Sequence, residues 1–181
     1  MRKYFSVLFF ATMIVVGCTS KKQQLITAIA TSESILKNDS TGIMDYKKAI
    51  AMTVLYEQYI QLYPEDTLSA IYLFKAADVA AHSQQTKHAI ELYKKLIKNY
   101  PDYKNMPDAM FFIGFLYENE LKDKKEATKA YREFLMAYPN NEQSDAARFL
   151  LQNINTPDED LIKKFESMPQ NTDSAISKIN S

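Results

Sequence analysis

The nonapeptide YEQYIQLYP at residues 56–64 recurs as YKKLIKNYP at 93–101 and as YREFLMAYP at 131–139. Each copy starts with a tyrosine, carries bulky apolar residues three and four positions later, and ends in Tyr-Pro. The Tyr-Pro pairs begin at residues 63, 100 and 138, so the copies are 37 and 38 residues apart. A repeat of this length made of helices indicates an array in which similar units stack side by side.

The composition agrees with a helical array in a single domain. The 181 residues include only three glycines and no tryptophan, and Lys plus Arg and Asp plus Glu number 22 each. A chain with no net charge lacks the clustered cations that nucleic-acid phosphates require, so we expect no nucleic-acid partner. The single cysteine excludes an internal disulfide.

The first residues have the order of an export signal. Arg2 and Lys3 precede a mostly apolar run from residue 5 to 16, which Gly17 and Cys18 follow. This run is shorter than the roughly 20 residues of a membrane-spanning helix, but it suits a cleaved secretory signal. There are two alternatives to a lipoprotein signal. One is an ordinary signal peptide with a free thiol, and the other is an uncleaved anchor.

Residues 15–18, Val-Val-Gly-Cys, resemble the lipobox of bacterial lipoproteins. The resemblance implies a signal peptide at 1–17, cleavage before Cys18, and acylation of that cysteine on its sulfur and its amine. Residues 18–24 would then be the lipidated N-terminus and a polar spacer. No acidic residue directly follows Cys18, which by the same resemblance favours the outer membrane, with the protein facing the periplasm. Several acyl chains supply the multiple signals that stable attachment needs, and this covalent lipid is the only prosthetic group we expect.

Apolar periodicity predicts seven or eight helices after the spacer. The first includes Leu25, Ile29 and Ile35. The second runs from a cap at Asp45 to Tyr63, with Ile50 on its apolar face. The later helices are predicted from Thr67 or Ser69 to Ser83, from Thr86 to Tyr100, from Pro107 to Leu121, from the link at 122–126 to Tyr138, from Glu142 onward, and from Thr156 to Ser167. Residues 168–181 are polar, and we expect a disordered tail.

The repeat resembles the tetratricopeptide repeat, which has small residues where paired helices touch, aromatics in the second helix and proline at its end. The matching residues of the best copy are Ile113, Gly114, Tyr117, Ala127, Tyr131, Phe134 and Pro139. Those of the preceding copy are Ala77, Ala80, Ala89, Tyr93, Leu96 and Pro101. The resemblance implies an all-α, right-handed superhelical array of antiparallel helix pairs, a solenoid, within residues 25–167. On a lipid-anchored chain such repeats are similar to the BamD-type outer-membrane assembly lipoproteins and to the periplasmic coordinator of the Tol-Pal system.

The resemblance also implies that the first helix of each pair lines a concave face. Phe74, Phe111 and Phe149 recur there at 37 and 38 residues, and Asp78, Phe115, Glu118 and Asn153 would lie beside them. Aromatics flanked by acidic and polar groups would suit an extended peptide or an amphipathic helix that carries basic residues. The alternative is that these phenylalanines pack between helices.

No pattern for catalysis or metal binding accompanies the repeats. His82 and His88 lie near one predicted turn without a cysteine or a close acidic cluster to complete a metal site, so we expect solvated side chains. No phosphate-binding loop or nucleophile elbow occurs, and we expect no enzyme. The sequence therefore favours a lipid-anchored adaptor or scaffold that binds a protein partner in outer-membrane protein assembly or envelope maintenance. A glycan-uptake binding lipoprotein is the alternative, against which the lack of tryptophan counts.

Overall fold

A computed structural model of the chain describes residues 20–37, 45–157, 159–160 and 163. Within these residues it contains seven α-helices and no strand, which confirms the predicted all-α helical repeat. They are α1 (Lys21–Lys37), α2 (Tyr46–Leu62), α3 (Thr67–His82), α4 (Thr86–Asn99), α5 (Met106–Asn119), α6 (Lys124–Ala137) and α7 (Ser144–Asn153). Cys18, most of the predicted helix from Thr156 to Ser167 and the predicted tail at 168–181 lie outside the described residues.

The helices pack in the order of the chain. The most extensive contacts join α3 to α4, α5 to α6 and α2 to α3, and smaller ones join the remaining successive helices. A helical array in which each element packs on its neighbours in the sequence is a solenoid, and its stability is approximately a sum of local and nearest-neighbour terms. None of the seven helices combines the length and the apolarity that crossing a membrane would need.

The three Tyr-Pro pairs end α2, α4 and α6 in the same way. The backbone at Tyr63, Tyr100 and Tyr138 has φ of −135°, −135° and −134° and ψ of 55°, 59° and 64°. Each tyrosine N–H still donates to the carbonyl four residues earlier. The following proline excludes the helical region for the tyrosine, because its ring would clash with the preceding backbone. A local steric rule thus sets the end of every second helix.

Helix starts agree with the sequence to within a residue or two. Asp45 caps α2 by accepting from the N–H groups of Lys47 and Lys48, as predicted. Helix α3 begins at Thr67, but its cap is Asp66, which accepts from the Leu68 N–H. Aspartate is a strong capping residue because its carboxylate satisfies free N–H groups of the first turn.

Large aromatic side chains and small residues share the core. The largest fully buried side chains include Tyr56, Tyr59, Tyr93, Tyr131 and Phe134. The five small residues of the two matching copies are buried, namely Ala77, Ala80, Ala89, Gly114 and Ala127. Substitution of these positions by larger residues would therefore force neighbouring side chains apart.

Two apolar residues predicted on buried faces are exposed. Ile35 is 49% exposed and Ile50 is 47% exposed, so the predicted apolar face of α2 was wrong at residue 50. Tyr46 and Val54, four residues to either side of Ile50, are exposed as well. The spacing of four places these three side chains on one side of α2, opposite the side that carries the buried Met52, Tyr56 and Tyr59.

Candidate partner-binding cleft

An open cleft lies where the end of α3, the middle of α4 and the second half of α5 meet. Its volume is about 410 Å³. The lining residues that matter for recognition are Asp78, His82, Tyr93, Phe112, Phe115 and Glu120. We call this site the α3–α5 cleft.

Aromatic side chains form the apolar part of the α3–α5 cleft. Phe115 is 42% exposed, while Phe112 is half-buried. The Phe112 ring lies 6.0 Å from that of Tyr93, and Tyr93 in turn lies 5.7 Å from Phe74. Phe115 can therefore bury much of its ring in a partner, while the rings beneath it are held by their neighbours.

Acidic groups border the cleft. The Asp78 side chain is half-exposed, and Glu120 is exposed at the C-terminal end of α5. The His82 Nδ1 lies 2.8 Å from the Asp78 carbonyl oxygen and 3.4 Å from its Oδ1. The cleft thus joins an aromatic surface to two carboxylates.

Tyr93 is the buried tyrosine of the cleft. The residue is only 1% exposed. Burial raises the pKa of its phenol, and the negative charges of Asp78 and Asp108 raise it further, so the hydroxyl stays protonated at physiological pH. No group among the described residues forms a hydrogen bond with this hydroxyl.

The equivalent tyrosines of the neighbouring copies differ in this respect. The Tyr56 hydroxyl donates to Glu33 Oε1 at 2.7 Å, and the Tyr131 hydroxyl donates to Glu118 Oε2 at 2.8 Å. Burial raises the pKa of both phenols, and the bond to a carboxylate adds to the shift. Of the three equivalent tyrosines, only Tyr93 faces a cleft with its hydroxyl unpaired within the described part of the chain.

The structure brings two of the seven predicted groove residues, Asp78 and Phe115, into the α3–α5 cleft. Phe74 is half-buried, with its ring 5.7 Å from those of Tyr93 and Tyr103. Phe111 is also half-buried and packs against two rings of α6, at 5.9 Å from Tyr131 and 5.8 Å from Phe134.

The remaining three predicted residues lie elsewhere. Glu118 accepts the hydrogen bond from Tyr131. Phe149 is half-buried, and Asn153 is buried with its Nδ2 donating to the Phe149 carbonyl at 2.8 Å. The roles of these three residues in partner binding stay predictions. The same holds for lipid attachment at Cys18, which lies outside the described residues.

Sequence reasoning missed the contributions of Phe112, Glu120 and Tyr93 to the cleft. Phe112 is adjacent to Phe111 and so fell outside the repeating ladder, and Glu120 lies in the turn after α5. Tyr93 matches the tetratricopeptide pattern as an aromatic of the second helix, which does not indicate a binding role. The sequence does contain a signal for the role of Tyr93. Ala81 precedes Glu118 by 37 residues, the same interval that separates Phe74 from Phe111, so Ala81 stands where the next copy has its glutamate. The copy that contains Tyr93 therefore lacks the glutamate that would bind its tyrosine.

The two histidines contact different acids. His82 pairs with Asp78, whereas His88 Nε2 lies 2.8 Å from Glu57 Oε1 on α2. In the part of the chain that the structure describes, no group of three or more potential ligands could hold a metal ion.

A second open groove has the opposite charge, so the expectation that a chain of zero net charge has no cluster of cations was wrong at this surface. Lys124, Lys125, Lys129 and Arg132 of α6 line a volume of about 560 Å³. Met136, also lining this groove, is 84% exposed. None of these residues lines the α3–α5 cleft, which makes the surface a suitable control in binding experiments.

Comparison with known proteins identifies the repeat. Residues 72–103 and 108–141 match the family model described as tetratricopeptide repeat. The two matches cover most of α3 with α4, and most of α5 with α6, and their loops. The chain therefore contains two tetratricopeptide repeats, and the α3–α5 cleft lies where they adjoin. A search of curated proteins found no match.

Proposed function

We propose that these two tetratricopeptide repeats form the binding part of a lipid-anchored adaptor, which holds a protein partner in the cell envelope through the α3–α5 cleft. The observation that carries the proposal is the position of the cleft at the junction of the repeats, where an exposed phenylalanine and two carboxylates line it. Tetratricopeptide repeats are typically protein-interaction scaffolds and not enzymes.

The energetics of the cleft suit a protein partner. Complete burial of a phenylalanine side chain contributes roughly 1.5–3 kcal/mol, and a few such anchors dominate the binding energy of many interfaces. Phe115 is the anchor here because it is the most exposed ring of the cleft. Asp78 and Glu120 would add orientation and a faster encounter with a basic partner rather than much affinity.

The proposed anchor is the lipidated Cys18, and its motif at residues 15–18 supports it. Helix α1 begins at Lys21, so the chain between Cys18 and the helix can span at most about 10 Å. Lys22 of α1 pairs with Asp66 at the cap of α3 and lies 5.8 Å from the Tyr63 ring centroid. Such a short tether on a docked helix would hold the repeats close to the membrane, which we propose is the periplasmic face of the outer membrane.

Mass spectrometry of the full chain purified from cell membranes tests the anchor. We expect an N-terminal Cys18 that carries acyl groups, and a Cys18→Ser variant that remains unprocessed and carries no lipid. A mature protein with a free Cys18 thiol would contradict the proposed attachment.

Partner capture from intact cells tests the cleft. Chemical crosslinking followed by quantitative mass spectrometry should recover a specific partner with the wild-type chain and much less of it with Phe115→Ala. Met136→Ala removes another exposed apolar side chain, outside the cleft, and should leave recovery unchanged. Both variants should retain their helix content by circular dichroism. Equal recovery with Phe115→Ala and the wild type would contradict binding at the cleft.

A further inference from the structure

The Tyr93 side chain is almost fully buried and lines the cleft, and no side chain of the described residues forms a hydrogen bond with its hydroxyl. Its position in the repeat corresponds to Tyr56 and Tyr131, whose hydroxyls both bind a glutamate of the preceding helix. In the second copy Ala81 occupies the place of that glutamate, and the space that the missing side chain leaves forms part of the α3–α5 cleft. Because Tyr93 lines the cleft, its hydroxyl is available to form a hydrogen bond with an incoming group.

The charges around Tyr93 decide which group can enter. Asp78 on α3 and Glu120 at the end of α5 border the cleft, and His82 is paired with Asp78. A carboxylate that accepted a hydrogen bond from Tyr93 would be repelled by these two negative charges. A cation is instead attracted by both carboxylates and can donate a hydrogen bond to the phenol oxygen.

The chain itself shows lysines in such surroundings. Lys94 Nζ donates to the Tyr117 hydroxyl at 2.9 Å and lies 5.2 Å from its ring centroid. Lys75 Nζ lies 2.7 Å from the Glu33 oxygen that also accepts from Tyr56. A tyrosine hydroxyl, a carboxylate and an aliphatic amine are thus compatible partners at neighbouring positions of this solenoid.

We propose that the α3–α5 cleft is a receptor for one lysine or arginine side chain of the partner. Its charged head binds Asp78 and Glu120 and donates to the Tyr93 hydroxyl, while its aliphatic stem lies on the exposed ring of Phe115. This rests on the proposed function, because it specifies the side chain that the partner inserts into the same cleft. The stem and the ring match because long basic side chains cover apolar surface with their methylene groups and keep the charge at the polar end.

Nuclear magnetic resonance titration of the full chain in detergent tests the proposal with small probes. We expect butylguanidinium and butylammonium to shift the ring signals of Tyr93 and Phe115 in a saturable manner. Butylurea, which has a similar shape without charge, and butyrate should bind about tenfold more weakly or not at all. Equal binding of butylurea, stronger binding of butyrate, or no shift with either cation would overturn the proposal.

Variants separate the role of each group in the same titration. Asp78→Asn together with Glu120→Gln should weaken butylguanidinium binding by about tenfold, and Tyr93→Phe should weaken it by a smaller factor. Glu133→Gln together with Glu142→Gln removes the same charge from exposed sites outside the cleft and should have no effect. If the control pair weakens binding as much as the cleft pair, a general electrostatic attraction explains the result and the specific site is wrong.

The capture experiment distinguishes this inference from the proposed function. Loss of the partner with both Phe115→Ala and the Asp78→Asn, Glu120→Gln pair supports both. Loss with Phe115→Ala and full recovery with the charge pair would overturn the basic-side-chain receptor and leave the adaptor function standing. Full recovery with all the variants would overturn both.

Discussion

Single residues explain how three similar sequence copies acquire different properties. Tyr56, Tyr93 and Tyr131 occupy equivalent places and are all 1% exposed or less. Two of them bind a glutamate, whereas the third opens onto the cleft. The repeat pattern predicts that all three are buried, but it does not predict the hydrogen bonds, because these depend on a residue of the preceding helix that varies between copies.

Removing the tyrosine hydroxyls one at a time tests this difference. We expect Tyr131→Phe to lower the free energy of unfolding by about 1 kcal/mol, because a hydrogen bond to a half-buried carboxylate is lost. Tyr93→Phe should change it by less than about 0.5 kcal/mol, since its hydroxyl has no partner in the described chain. Urea unfolding followed by circular dichroism measures both values, and an equal loss in the two variants would contradict the distinction.

Gly114 shows why a small residue is required at a helix contact. A Cβ atom there would lie 2.6 Å from both Cδ1 and Cε1 of the fully buried Tyr131 ring. Sequence reasoning predicts the small residue from the repeat. The structure adds that the neighbour is a buried ring, whose centroid lies 5.9 Å from that of Phe111 on the same helix as Gly114.

Gly114→Ala should therefore destabilise the protein, although alanine has the better helix propensity. We expect overpacking to lower the free energy of unfolding by about 1–3 kcal/mol. Gln152→Ala, at the equivalent and exposed place of α7, is the control and should lie within about 0.5 kcal/mol of the wild type. A higher melting temperature of Gly114→Ala in thermal denaturation would show that the ring moves away at little cost.

At the scale of helices, local steric rules predict where a helix ends, whereas tertiary contacts determine how one helix is joined to the next. The Tyr-Pro ends follow from the sterics of the residue before proline. Buried serines add what the sequence does not reveal: Ser69 Oγ donates to the Tyr63 carbonyl at 2.6 Å, and Ser144 Oγ to the Tyr138 carbonyl at 2.7 Å. These bonds link the end of one helix to the start of the next. Met106 stands at the corresponding place of the middle copy, so the link is not a fixed part of the repeat.

Glu33 attaches α1 to the following helices. It accepts from the Tyr56 hydroxyl on α2 and from Lys75 Nζ on α3, both at 2.7 Å. Burial alone would raise the pKa of Glu33, but the bonds from Lys75 and Tyr56 hold it below its ordinary value of 4.5. A carboxylate whose pKa falls on folding stabilises the fold above its unfolded pKa, and this contribution disappears as the pH falls through the lower folded pKa.

Glu33→Gln should therefore destabilise the protein at neutral pH and matter less in acid. Because the Glu33 side chain is 33% exposed and solvent screens the charge, we expect a loss below about 1 kcal/mol at pH 7. The difference from the wild type should shrink as the pH is lowered below 4.5. Glu142→Gln is the exposed control. A difference that stays constant across this pH range in urea unfolding would contradict the ionic attachment of α1.

At the scale of the whole molecule, the described residues form two apolar cores of unequal size. The larger centres on α2 to α5 and reaches α1, and the smaller joins α6 and α7 to one side of α5. A solenoid of this kind unfolds in parts, because each unit depends mainly on its neighbours. The sequence predicts the array from its repeats, but the division of the core depends on side-chain contacts between helices, which the spacing does not specify.

Native-state hydrogen exchange should show this division. We expect amides of α6 and α7 to exchange faster than those of α3 and α4. Phe134→Ala, which removes the fully buried ring of the smaller core, should cost about 3–5 kcal/mol locally and further accelerate exchange in α6 and α7. The exchange of α2 and α3 should change little. A uniform loss of protection along the chain would instead indicate one cooperative unit.

Crosslinking at defined positions tests most directly whether partners bind at the junction of the two repeats. A photoreactive phenylalanine analogue at position 115 would sit in the α3–α5 cleft, and the same analogue at position 136 would sit on the exposed basic surface of α6. In intact cells we predict a specific covalent adduct with an envelope protein from position 115 and none from position 136. Absence of an adduct at 115, or the same adduct at both positions, would contradict the account.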